Sequence, residues 1–386
     1  MNTSFRLLPN IFFLLLLVPI LSPRVSGVSL YLFVLIPLID LKFLANIRFS
    51  LREIYLLVGT ILLALISKDF FLIVKLVGLA FTIGYIAYLH KEKCDTYVPI
   101  YFYILVLVAF VQFLGVVYLG DPLINNANIS KALYGDYALQ FGNLVNKINY
   151  LGLGYRVSGL STEPAFFSSL LISVYLYIRI ILKKKDFSDV FILALGLSLC
   201  FSRATIITLI GLSFLYIFKP WLERHGAAFV LMIFLIIAIY FVTYLYEFEM
   251  VMSSGSIVHR TIGYFVLGEV QNIDVADIVF GLGQTGGYNY VGSIPEINYS
   301  PMAEDMKKNL FDNSGVTEII LQYGLLGFLF FLSVLRLYRI DGFKIMILVV
   351  LTINVSVLTS TSFVIIAWLV VILGNFNEKK SSNIAL

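Results

Sequence analysis

Long apolar runs recur from one end of the chain to the other, with short polar breaks between them. A helix needs about 20 mostly apolar residues to cross a bilayer. The 386 residues are 60% hydrophobic and 13% charged, whereas roughly a quarter of a soluble domain is charged. Water cannot solvate so much apolar surface, so the pattern predicts a polytopic membrane protein. Lipid offers no partner to the backbone, which favours an all-α fold.

The apolar runs predict about twelve transmembrane helices, within a range of roughly ten to twelve. They lie approximately at 7–22, 28–46, 52–67, 70–90, 97–119, 164–182, 190–202, 204–218, 227–246, 315–334, 344–358 and 362–375. The runs 190–202 and 204–218 fit either one long span or two short spans that meet at Ser202 and Arg203. Residues 344–375 leave the same two alternatives open.

Lysine and arginine favour alternate loops, and this bias predicts the orientation of the spans. One set of loops holds Arg6, Lys42, Arg48, Arg52, Lys91, Lys93, Arg179, Lys183, Lys184, Lys185, Lys219, Arg224, Arg336, Arg339, Lys344, Lys379 and Lys380. The short loops of the other set hold only Arg24, Lys68 and Arg203. The first set is therefore expected in the cytoplasm, together with both termini.

Two polar stretches, 120–163 and 247–313, interrupt the series of spans on the non-cytoplasmic side. Loops of this length are usually functional or disordered. Both mix Gly, Asn and Tyr with apolar residues, so we expect ordered structure with short helices near the membrane surface. The whole chain, 1–386, is expected to form one integral membrane domain that carries these two large loops.

The first of these loops ends on an arginine and a carboxylate seven residues apart, Arg156 and Glu163, followed by Pro164. Proline suits the first turn of a helix, and an anion is favoured there by the helix dipole. One interpretation is a capped helix with an Arg–Glu pair. The other is a phosphate site, because a guanidinium binds phosphate bidentately. Glu163 would then hold the guanidinium in place or act as a base on a sugar hydroxyl.

Ser202 and Arg203 lie between two apolar runs, where an arginine is costly and usually marks a pathway or a site. The alternative is an arginine that extends to the membrane surface. The predicted orientation places Arg203 on the same side as Arg156, which favours a functional role.

His259 and Arg260 follow the 227–246 run closely. Arg260 is a second candidate for binding phosphate. His259 is a candidate base, because the unperturbed pKa of histidine is near 6.5. A single histidine in a loop is also commonly an ordinary surface residue, and that alternative stays open.

Two further motifs precede the 315–334 run. Gly281 and Gly283 belong to a Phe-Gly-Leu-Gly sequence that predicts a turn, since the features of a phosphate-binding P-loop are missing. Asp312 and Asn313 either cap the next helix or donate and accept hydrogen bonds with sugar hydroxyls. With three histidines and two distant cysteines, the sequence predicts neither a metal site nor a cofactor.

Taken in order, these motifs resemble the O-antigen polymerase and ligase superfamily, most closely its Wzy-type polysaccharide polymerases. The resemblance rests on Arg156-x-x-Gly159-x-x-x-Glu163-Pro164 opening a span, Ser-Arg within an apolar stretch, an arginine early in the second large loop, then Gly-Leu-Gly and Asp-Asn before the next span. It covers the order of spans from about residue 97 to 375.

This resemblance implies a GT-C-like glycosyltransferase at the outer face of the bacterial inner membrane. Such enzymes polymerise oligosaccharide repeat units carried on undecaprenyl diphosphate into O-antigen or capsular polysaccharide. It implies functional arginines at Arg156 and Arg260, with Arg203 beside them, and a chain-length regulator protein as a partner. Nothing in the sequence points to nucleic acid.

The sequence departs from the ligase pattern at one position. Ligases carry His-Asn before the late span, where this chain has Asp312 and Asn313. This difference makes the ligase interpretation less favoured. It also leaves His259 as the histidine on the outer face that is available as a base. The alternatives to a metal-independent polymerase are thus an O-antigen ligase and a transporter of lipid-linked oligosaccharides.

Overall fold

The computed structural model describes residues 7–25, 28–47, 51–67, 71–138, 145–147, 155–246, 255–269, 273–283, 315–352, 355, 357–358 and 361–382. Most of these residues are helical. The helices are α1 (Leu7–Leu17), α2 (Ile36–Ile39), α3 (Leu41–Asn46), α4 (Leu51–Ser67), α5 (Phe71–Lys91), α6 (Val98–Leu119), α7 (Asn126–Tyr134), α8 (Pro164–Leu176), α9 (Phe187–Leu199), α10 (Arg203–Ile217), α11 (Lys219–Arg224), α12 (Ala227–Leu245), α13 (Gly255–Gly268), α14 (Val275–Phe280), α15 (Thr317–Leu337), α16 (Gly342–Leu351) and α17 (Ser362–Ser382).

Within the described ranges, five helical segments are long and apolar enough to cross a membrane. They are Leu72–Lys91, Val98–Leu119, Pro164–Ile181, Ala227–Leu245 and Thr317–Leu337. Six further apolar helices are shorter, at 10–17 residues. The predicted class, a helical membrane protein, is therefore confirmed at this coarser level.

The run 28–46, predicted as one span, is divided into short pieces. A 3₁₀ turn at Leu32–Leu35 leads into α2, and α3 starts anew after Asp40. The Asp40 carboxylate accepts the N–H groups of Lys42 at 3.0 Å and Phe43 at 3.2 Å. This N-cap stabilises a fresh helix start within the apolar run.

Two other ambiguous runs are resolved as separate helices. The 190–218 region forms α9 and α10, which meet at Ser202 and Arg203. The 344–375 region forms α16 and α17.

Within the described ranges, the all-α expectation holds apart from two small antiparallel strand pairs. β1 (Arg24–Val25) pairs with β2 (Val28–Ser29). β3 (Val145–Lys147) pairs with β4 (Tyr155–Val157), placing Asn146 opposite Arg156. The second pair lies in the first large polar loop, and α7 precedes it there. The second large loop contributes α13 and α14, so both loops contain the short helices that were expected.

The chain divides into two compact units. The first unit comprises 1–47, 78–210 and 360–386, and the second comprises 48–77 and 211–359. In the first unit α8 packs against α6, α9 and α17. The aromatic side chains of Phe12, Phe33, Tyr85, Phe102 and Phe167 are fully buried there.

At its far end, α8 passes into a π-helix at Tyr177–Ile181, where the Leu182 N–H donates to the Tyr177 carbonyl at 3.2 Å. The Tyr177 hydroxyl donates to Oδ2 of Asp95 at 2.7 Å, and Nδ1 of His90 lies 2.7 Å from the same oxygen. Asp95 is buried. This contact fixes the end of α8 to the turn between α5 and α6.

The second unit is built around α15, which packs against α4, α12, α13 and α14. This helix is broken at Gly324, whose φ of 66° and ψ of −165° are not helical. The backbone of Gly281, just after α14, lies against the break, with φ 88° and ψ 160°. The Leu282 N–H donates to the Leu321 carbonyl at 2.7 Å. The Phe-Gly-Leu-Gly turn thus provides a hydrogen-bond partner for backbone at the break in α15.

Candidate functional site

The stretch from Arg156 to Pro164 connects β4 to α8. Helix α8 begins at Pro164, as the sequence predicts. Glu163 occupies the N-cap position with an extended backbone, and its carbonyl accepts the Phe167 N–H at 3.0 Å. Glu163 therefore lies at the positive end of the α8 dipole, where a carboxylate is favoured.

The expected pair between Arg156 and Glu163 is not formed. Ion pairs between described residues join His90 to Asp95, Lys219 to Glu223 and Lys344 to Asp341. The Glu163 side chain also makes no capping hydrogen bond. The Glu163 carboxylate is therefore fixed neither by an ion pair with Arg156 nor by a capping hydrogen bond to α8.

The stretch is instead held by the side chain of Asn126, at the start of α7. Its Nδ2 lies 3.2 Å from Oγ of Ser158, 2.8 Å from the Gly159 carbonyl and 3.0 Å from the Ser161 carbonyl. Asn126 is fully buried. All three contacts lie between Arg156 and Glu163, and two of them are with backbone carbonyls.

A second amide, from Gln112 in α6, reaches the same place. Its Nε2 lies 2.9 Å from the Gly159 carbonyl, 3.2 Å from Oδ1 of Asn126 and 3.0 Å from the Ile124 carbonyl. The two side chains and Gly159 form a buried group that we call the amide cluster: Gln112, Asn126 and Gly159. It joins α6 and α7 to the stretch from Arg156 to Pro164, which we call the arginine-bearing stretch.

Gly159 has a backbone conformation that requires glycine. Its φ is +55°, and a Cβ placed there would lie 2.4 Å from the ring of Phe167. The Phe167 ring is fully buried, so it has no open space to move into. The glycine of the motif is thus required by the turn that it allows.

Gly159→Ala is expected to destabilise the first unit by several kcal/mol, since a left-handed alanine costs about 1–2 kcal/mol and overpacking adds about 1–3 kcal/mol. Gly120→Ala is the matched control, because Gly120 has φ +77° with nothing within 4 Å of the added Cβ. Thermal unfolding of the purified variants in detergent measures the difference. Equal midpoints for the two variants would show that the Phe167 contact does not matter.

Arg156 lies beside the junction of α9 and α10. Strand β4 packs against α6 and α9, and α9 ends at Leu199, next to the buried Cys200. Cys200 is followed two and three residues later by Ser202 and Arg203. The first unit therefore brings two sequence-predicted site segments, one from each side of α8, into one neighbourhood.

Ser202 has a defined structural role at this junction. Its Oγ accepts the Thr205 N–H at 3.0 Å and lies 2.8 Å from Oγ1 of Thr205, and both side chains are buried. Ser202 thus caps α10, which begins at Arg203. An N-terminal helix end with an arginine at its first position favours an anion. The side chain of Arg203 lies outside the described part of the chain.

His259 and Arg260 lie in the second unit, within the second large polar loop. Both belong to α13, and Arg260 is half-buried. The His259 side chain is outside the described residues, as are Asp312 and Asn313. The predicted roles of these three residues stay predictions.

Sequence reasoning missed Gln112 and Asn126. Gln112 was visible as a polar residue within an apolar run, and such residues in membrane segments are commonly functional. Asn126 had no such signal, because its partners lie more than 30 residues away along the chain. Glu318 was missed likewise: it is buried on α15, one turn before the buried Gln322 and the break at Gly324.

No group of three or more His, Cys, Asp or Glu side chains able to hold a metal ion occurs among the residues that the structure describes. The first unit offers a guanidinium at Arg156, the helix N-termini of α8 and α10, and a carboxylate at Glu163. Such a set binds an anion and orients or deprotonates a hydroxyl.

Comparisons with family models, with curated proteins and with solved structures found no match to this chain.

Proposed function

We propose that the chain is a polysaccharide polymerase, a metal-independent glycosyltransferase of the bacterial inner membrane. It joins oligosaccharide repeat units carried on undecaprenyl diphosphate into O-antigen or capsular polysaccharide at the periplasmic face. The proposal includes a GT-C-like arrangement of about twelve spans, with both termini in the cytoplasm. A chain-length regulator is the expected protein partner.

The observation that carries this proposal is the neighbourhood of Arg156 in the first unit. Arg156 is a half-buried arginine on β4, and the stretch from it to α8 is held by buried amides at Gly159. Strand β4 packs against α9, which leads to the Ser202-capped start of α10. Arginine is suited to diphosphate, which it binds through two parallel hydrogen bonds. A lipid diphosphate held at the end of a membrane helix keeps its lipid tail within the bilayer.

The reaction needs no nucleotide, because the lipid diphosphate is already a leaving group. An acceptor sugar hydroxyl on the incoming unit attacks the anomeric carbon of the growing chain. The bond from that carbon to the diphosphate oxygen breaks, and the lipid diphosphate departs with the electron pair. Arg156, with Arg203 near it in the first unit, stabilises the charge that develops on it. Glu163 accepts the proton of the attacking hydroxyl.

A transporter of lipid-linked oligosaccharides is the second candidate, and one observation favours it. Helix α15 is broken at Gly324, and Glu318 and Gln322 are buried on the preceding turn. Broken membrane helices with buried polar groups are typical of transporter binding sites.

Deletion of the gene separates the candidates through the polysaccharide profile of the strain. Loss of a polymerase leaves lipid A-core capped by a single repeat unit, and this is the expected result. Loss of a ligase leaves uncapped core with polymer still on its lipid. Loss of a flippase leaves uncapped core and unpolymerised units inside the cell, and either of these outcomes would overturn the polymerase proposal.

A further inference from the structure

We infer that Asn126 and Gln112 are positioning residues that set the place of Arg156 for the proposed transfer reaction. This inference rests on the proposed function and deepens it. It assigns a role to two buried amides outside the arginine-bearing stretch itself.

The cluster acts on the backbone of that stretch. The Gly159 carbonyl accepts from Asn126 at 2.8 Å and from Gln112 at 2.9 Å, so both of its lone pairs are engaged. The Ser161 carbonyl accepts from Asn126 at 3.0 Å. Because these acceptors are carbonyls, the cluster fixes the path of the chain between Arg156 and Glu163 whatever side chains it carries.

The donors are themselves held in place. Asn125 caps α7 by accepting the N–H groups of Ala127 at 3.0 Å and Asn128 at 3.2 Å, which orients the first turn that carries Asn126. Gln112 lies in the interior of α6, between Val98 and Leu119. The stretch is therefore tied to a membrane helix and to a loop helix at once.

The orientation of the Gln112 amide follows from its neighbours. Nε2 faces three oxygen atoms, and Oε1 is buried with no hydrogen-bond partner among the described residues. Turning the amide over would set Oε1 against those oxygens and break all three contacts. A buried amide oxygen without a hydrogen-bond partner costs free energy. That Gln112 keeps this orientation fits a role in positioning the stretch.

The reaction explains why such placement matters. Arg156 stabilises charge that appears on the diphosphate only as the bond breaks, so its position affects the transition state more than substrate binding. A displacement of about 1 Å at such a group lowers the rate about 100-fold. Loss of the cluster should therefore lower kcat and leave KM nearly unchanged.

Asn126→Asp tests this inference with little change in shape. It replaces the donor by a carboxylate oxygen that faces the Gly159 and Ser161 carbonyls. Asn128→Asp is the matched control, because it makes the same change on the same helix at an exposed position. Gln112→Glu removes the second donor and keeps Asn126 intact.

The first measurement is polymerisation of lipid-linked repeat units by the purified, monodisperse full-length protein. We expect kcat per folded molecule to fall about 100-fold in Asn126→Asp and in Gln112→Glu, with KM changed by less than about threefold, and no change in Asn128→Asp. A merely structural role would lower only the yield of folded protein. Unchanged kcat in Asn126→Asp would overturn the inference, provided that Arg156→Ala is inactive.

The second measurement does not depend on activity. Ser161→Cys, in a chain that also carries Cys94→Ser and Cys200→Ala, is labelled with a membrane-impermeant maleimide. Ser161 is 3% exposed, so labelling at this position should be slow. The labelling rate should rise about tenfold or more with Asn126→Asp, because the broken contacts open the stretch. If wild-type protein makes no polymer, the proposed function fails and this labelling decides the role of the cluster. Equal labelling rates with Asn126→Asp and Asn128→Asp would refute the positioning role of the amide cluster.

Discussion

Arg156→Ala is expected to abolish long polysaccharide chains while the protein still reaches the membrane in normal amount. The guanidinium stabilises the negative charge that develops on the departing lipid diphosphate. Removing one such donor typically costs about 10²–10³ in rate. A polymerase that slow adds too few units to build a chain, so lipid A-core carrying a single repeat unit should accumulate. Gel electrophoresis of the polysaccharide from the complemented deletion strain measures this outcome.

Two further substitutions make the result specific to the guanidinium. Arg156→Lys keeps the charge but loses the planar fork, so short chains are expected in place of long ones. Arg224→Ala removes an arginine from an exposed position and should leave chain lengths unchanged. Normal chain lengths in Arg156→Ala, with the protein present in the membrane, would contradict the site assignment.

Gly324→Ala is expected to prevent the second unit from folding stably. A φ of 66° with ψ of −165° belongs to a region open in practice to glycine alone. An added Cβ would lie 2.4 Å from the Val279 carbonyl oxygen and 2.5 Å from the Gly281 nitrogen. Both contacts are with backbone, so no side-chain rotation relieves them. Backbone strain alone costs about 1–3 kcal/mol, and the clash adds to it.

Gly283→Ala is the control for this prediction. Gly283 has φ +65°, and the nearest atom to an added Cβ is the Ser67 carbonyl oxygen at 3.8 Å. The fraction of monodisperse protein that survives heating in detergent should fall sharply for Gly324→Ala and only slightly for Gly283→Ala. Similar survival of the two variants would mean that α14 does not depend on the break in α15.

Features set by local chemistry were readable from the sequence. Apolar length predicted the helical membrane class, and Pro164 predicted the start of α8. The division of 28–46 was readable too, because Asp40 is a strong N-cap residue, yet the apolar character of the run masked it. At Asp40 the capping carboxylate decides where a helix starts, although the mean hydropathy of the run suggests one continuous helix.

Features set by distant contacts were not readable. The Gly159 carbonyl meets Gln112 across 47 residues of sequence, and the need for glycine at Gly281 arises from backbone near Gly324. A single sequence records that a glycine is present but not which atom approaches it. For the same reason the Arg156–Glu163 pair, plausible from spacing, gave way to an amide cluster that spacing does not suggest.

The π turn at Tyr177–Ile181 holds one residue more than an α turn would. Deleting a single residue inside it would restore α geometry while the helix before it kept its register from Pro164 onward. Relatives of this chain should therefore tolerate a one-residue gap at this turn more readily than elsewhere in the same span. An alignment that places this gap near Phe167 instead would shift the register of α8, the helix that follows the stretch from Arg156 to Pro164.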